Sequence, residues 1–75
     1  MKEAPAMYAI AIEHLVDGGW RPFTEPWSQA FDCSPDEIAE QVAGNWDLDE
    51  LGHPWAVGVF RGVRFDEKLA DLRGA

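Results

Sequence analysis

The stretch Met7-Tyr8-Ala9-Ile10-Ala11-Ile12-Glu13-His14-Leu15-Val16-Asp17-Gly18-Gly19-Trp20 decides the fold. Large and small side chains alternate up to Glu13, which is the period of two of a half-buried strand. Asp17-Gly18-Gly19 follows, and its glycines tolerate the positive φ that a tight hairpin turn demands. The return arm runs from Trp20 to Phe31 and contains Pro22 and Pro26. Neither proline can donate a ladder hydrogen bond, so this arm belongs at a sheet edge or is broken by a bulge. A two-residue loop at Asp17-Gly18 or at Gly18-Gly19 pairs even positions of the first arm with odd positions of the second. Tyr8, Ile10 and Ile12 then share a face with Phe23, Trp27 and Phe31, and Trp20 faces away. A three-residue loop reverses the assignment.

Downstream, Ser34-Pro35-Asp36-Glu37 is a helix start: Ser34 caps, Pro35 takes the first helical position, and Glu37 completes a capping box. Asp36 and Glu37 also lie where the helix dipole favours anions. Ile38, Ala39, Val42, Ala43 and Trp46 form one apolar stripe, which predicts a helix ending near Gly44-Asn45 with Trp46 packed back onto the sheet. Residues 47–52 read as an acidic connector, and Trp55-Ala56-Val57-Gly58-Val59-Phe60 as a third strand. In the tail, Asp66 is placed to cap a short final helix with Leu69 and Leu72 on one side, while Val63-Arg64-Phe65 could equally prolong a strand. The expected fold is α+β: a three-stranded antiparallel sheet in order 2-1-3, ββαβ, with one helix on one face and a short C-terminal helix. Residues 1–75 make one domain, with 1–6 and 73–75 expected to be flexible.

Of the 75 residues, 47% are hydrophobic, enough for a core, though a small one. One cysteine forms no internal disulfide and no Cys/His cluster offers four zinc ligands, so the usual staples of a small domain are missing. Self-association or a protein partner is expected in their place. Fourteen acidic against six basic residues give a net charge of −8. Four of the six basic residues, Arg61, Arg64, Lys68 and Arg73, fall in the last fifteen positions. So acidic a chain repels phosphate backbones, which argues against direct nucleic-acid binding. It also suits an acidic mimic that occupies a nucleic-acid-binding surface. No stretch reaches the ~20 apolar residues of a membrane span. The run from Ala4 to Ile12 has no signal-peptide cleavage site behind it, and a lone thiol fits a reducing, cytoplasmic setting.

His14, Cys33 and His53 are the only classical ligand or nucleophile residues, and they fall on three elements with no short-range pairing motif. A Cys33–His53 pair is conceivable in space, although Cys33 at a helix start reads as part of the cap region. Asp47, Asp49 and Glu50 lack the alternation, central Gly and bidentate Glu of a calcium loop and read as a solvated connector. No catalytic set, cofactor or metal site is expected. Four tryptophans exceed what so small a core can enclose, at on the order of 200 Å² each. Trp27 and Trp46 are expected in the core. Trp20, with Arg21, and Trp55 are the expected partner-binding residues, because Trp and Arg are enriched at binding hot spots.

The spacing of Asp17-Gly18-Gly19-Trp20-Arg21-Pro22, Ser34-Pro35-Asp36-Glu37-Ile38-Ala39, Asn45-Trp46 and Trp55-Ala56-Val57-Gly58-Val59 resembles a set of short uncharacterised proteins of high-GC bacteria. The resemblance spans residues 7–62 and brings no activity with it. The hairpin-then-helix order is also similar to the small domain of HicB-like antitoxins, a likeness of fold that implies toxin binding. The expectation is a non-enzymatic interaction module, a regulator or accessory factor. The alternatives are an acidic nucleic-acid mimic and a HicB-like toxin-binding domain.

Overall fold

The computed structural model describes residues 5–75. Its elements in chain order are β1 (Ala6–Val16), β2 (Gly19–Pro22), β3 (Trp27–Phe31), α1 (Pro35–Asn45), a 3₁₀ turn (Leu48–Glu50), β4 (Trp55–Arg61) and β5 (Lys68–Gly74). All the pairings are antiparallel. The order is β2-β1-β4-β5, with β3 pairing to the same side of β1 as β2. The expected three-stranded sheet is thus corrected to five strands: the return arm is split into β2 and β3 at one edge, and β5 is added beyond β4 at the other.

The hairpin turns at Asp17 (φ 53°) and Gly18 (φ 79°), both left-handed as a two-residue hairpin loop requires. Glu13 then faces Pro22 and Leu15 faces Trp20. Phe23 still donates its N–H to the Ile12 carbonyl at 2.8 Å. Residues 24–26 leave the ladder, and when it resumes Ile10 faces Trp27, two residues further on than the first register. A slip of two conserves the face of every side chain, so the expected parity survives the break. The prolines account for the split, because Pro22 is the last paired residue of β2 and Pro26 lies in the gap just before β3.

The helix forms where its cap predicts. Glu37 N–H donates to Ser34 Oγ at 3.3 Å, and Ser34 N–H donates to Glu37 Oε1 at 3.2 Å. Ile38, Ala39 and Val42 are buried against Ile10, Ile12, Trp55, Val57, Val59 and Ala70 in one core. The helix lies mainly over β4 and β5. Trp46, expected in the core, is 43% exposed at the end of the helix. From there it roofs Phe23 and Trp27, with ring centroids at 5.9 Å and 6.1 Å. Tyr8, Phe23, Trp27 and Phe31 are half-buried flanks of the core.

The C-terminal helix is corrected. Residues 68–74 are a strand, and Arg73 and Gly74, expected to be flexible, pair with Ala56 and Trp55. Leu69 and Leu72 imitate a helical spacing, but the inward set is Ala70, Leu72 and Gly74, with Leu69 displaced by an irregularity between Val59 and Phe60. The reason is β4, whose first five residues are all buried. A strand so apolar needs a neighbour on both sides, and the tail supplies the second one. Ala6, also expected to be flexible, begins β1, while residues 1–4 lie outside the described residues.

Candidate functional site

Register assigns every strand residue to one of two faces. On the face opposite α1 lie Leu15 with Trp20, Ala11 with Gly58, Ala56 with Arg73, and Ala9 with Phe60. Alanines and a glycine make a low floor between larger side chains. The Arg73 guanidinium carbon stands 5.5 Å from the Trp20 ring centroid, across that floor. Asp71 Oδ2 accepts from Arg73 Nε at 3.3 Å and pairs with Lys68 Nζ at 3.6 Å. Lys68 in turn stands 5.6 Å from the Phe60 centroid, and Phe60 packs edge-on to Phe65 at 5.1 Å. A continuous run of cations and aromatic rings therefore crosses this face from Trp20 to Phe65. Trp20 is 43% exposed and Phe65 45%.

The structure divides the three expected partner residues. Trp20 belongs to the run just described. Arg21 is exposed but opposite His14, on the helix side of the sheet. Trp55 is corrected: it is only 4% exposed, so its indole is not available to a partner in this fold. It lies flat on Gly74, where any Cβ would overlap the ring. The cation beside Trp20 is Arg73. Sequence reasoning missed it because Arg73 reaches Trp20 only through β5, a strand read as helix.

A second cluster lies on the helix side. His14 Nδ1 and His53 Nε2 are 2.9 Å apart, joining residues 39 positions distant in sequence. The edge of Phe23 packs against the His14 ring at 5.2 Å. Leu15 N–H donates to the Pro54 carbonyl at 2.9 Å, which ties the two histidine-bearing segments together one residue further on. Cys33 Sγ accepts from Gln41 Nε2 at 3.6 Å. At the helix start, the backbone N–H and then the hydroxyl of Ser34 hold the Glu37 carboxyl below its usual range. Among the described residues no group of three or more His, Cys, Asp or Glu is placed to hold a metal ion. No helix there is long and apolar enough to cross a membrane.

These features define a small α+β domain with one helix-covered sheet face and one cation-aromatic face. Comparison with known proteins finds no matching family model, no matching curated protein and no matching solved structure.

Proposed function

We propose that the chain is a small acidic interaction module, a regulator or accessory factor, which meets a protein partner through the face opposite α1. The observation that carries this is Trp20, nearly half exposed on a strand, with its ring under the Arg73 guanidinium. Tryptophan and arginine are the residues most enriched where interfaces concentrate their energy, and large exposed rings are kept out of water by a partner. The Phe60 ring and the Lys68 stem lie over Gly58, so this face offers a partner ring and stem surface beside Trp20. A single cysteine forms no internal disulfide, which suits a reducing, cytoplasmic setting.

The acidic-mimic alternative draws on a different surface, the helix flank bearing Asp36 and Glu40, both exposed. Tagged chain used as bait in its native host separates the two. Trp20→Ala and Arg73→Gln are expected to lose the captured partner, while the double variant Asp36→Asn, Glu40→Gln keeps it. The reverse pattern assigns the mimic. Capture of a small toxin through Trp20 assigns the antitoxin-like alternative, and capture unchanged by any of these variants removes this face from consideration.

A further inference from the structure

We propose that His14 and His53 form a two-histidine chelating site for a divalent transition ion of the imidazole-binding class, represented by zinc. The two nitrogens, His14 Nδ1 and His53 Nε2, are 2.9 Å apart. Two imidazole nitrogens bound at ~2.0–2.1 Å to one ion, at angles from square to tetrahedral, stand roughly 2.8–3.4 Å apart. The ring centroids are separated by 5.1 Å. An ion shared by both rings calls for about 4.5–5.2 Å on the same geometry.

The site is built before any ion arrives. His14 is held on β1 between Arg21 of β2 and Trp55 of β4, its partners across the ladder. His53 is held by the Leu15 to Pro54 backbone bond immediately beyond it. Phe23 packs edge-on against the His14 ring and restricts its rotation. The ion takes the place of the hydrogen bond between the two nitrogens, and the ring that donated it keeps its proton on its other nitrogen. Arg21, exposed on the neighbouring strand, is the one cation opposite the site in register, and the net charge of −8 outweighs it in drawing cations to the chain. Two ligands leave the remaining positions of the ion to water.

The whole chain is titrated with zinc chloride, with magnesium chloride as the control for binding to surface carboxylates. Thermal unfolding and the imidazole signals in nuclear magnetic resonance spectra are the readouts. Zinc at about ten times its Kd is expected to raise the melting temperature by roughly 5–10 °C, and magnesium is expected to leave it unchanged. His53→Gln and His14→Asn are expected to abolish the rise, and acidification to weaken binding in the unaltered chain. Where a variant unfolds, the unaltered chain decides, since zinc must shift the His14 and His53 ring signals together. The proposal is overturned if millimolar zinc leaves those signals in place, if magnesium matches zinc, or if a folded His53→Gln chain binds zinc equally well.

Discussion

Ser34 makes three hydrogen bonds to one neighbour: its hydroxyl accepts from the Glu37 N–H, and its own N–H and hydroxyl both donate to Glu37 Oε1. Ser34→Ala removes the acceptor for a first-turn amide, which costs ~1 kcal/mol. Thermal unfolding at neutral pH is expected to show a melting temperature lower by roughly 4–8 °C. The pH dependence follows from Glu37, whose carboxyl is held below its ordinary value in the folded chain. A depressed folded value gives stability that is present above the unfolded value and lost as pH falls through the folded one. The gap between parent and Ser34→Ala is therefore expected to narrow below about pH 4, the unfolded Glu range. A gap that widens on acidification contradicts the assignment. Two glycines make an opposed pair. Gly44 lies in the helix with open space where a methyl would project, and Gly44→Ala is expected to gain about 0.5–1 kcal/mol. Gly74→Ala places a methyl in the Trp55 ring and is expected to lose ~1–3 kcal/mol by the same unfolding measurement.

At the scale of elements, the two strands of the return arm respond differently to truncation of an indole. Trp27 faces Ile10 and flanks the core, and its Nε1 donates to Gln29 Oε1 at 3.0 Å. Trp27→Ala is expected to cost about 3 kcal/mol, the low end for a large aromatic, because the ring is only half-buried. Trp20→Ala removes an exposed cation–π pair worth about 0.5–1 kcal/mol and should leave the melting temperature close to that of the parent. Chemical denaturation of both variants checks the order, and a larger loss at Trp20 would mean that the two faces are reversed. The parity behind this pair was legible because a hairpin transmits its register through a two-residue turn. The tail was not legible, because Leu69 and Leu72 fit a helix locally and only β4 lying alongside selects the strand.

Across the whole molecule, charge and apolar contact make opposite claims about association. Eleven of the fourteen acids lie in residues 1–60, whereas Lys68 and Arg73 stand on the face assigned to a partner. Binding through Trp20 and Arg73 is expected to keep its affinity from low to moderate salt. Binding through the acidic helix flank slows steeply, since exposed charges are screened within ~10 Å at 0.1 M. Association rates measured across a salt series distinguish the two surfaces. The partner face itself was only partly readable. Trp20 stood out by type and by parity, but its companion Arg73 is 53 positions away and arrives through a strand order that no local pattern encodes.

By itself the sequence determined whatever depends on neighbours in the chain: the Asp17-Gly18 turn, the facing of each residue along the hairpin, and the capped helix from Pro35. These follow from steric limits on φ, from the period of two, and from hydrogen bonds closing over three residues. Only the tertiary structure decided that residues 68–74 complete the sheet, that Trp55 is buried on Gly74, and that His14 meets His53. Each of these joins segments whose separate preferences are ambiguous. What settles them is the burial of β4 on both sides, a free energy belonging to the assembled sheet and to no stretch of it.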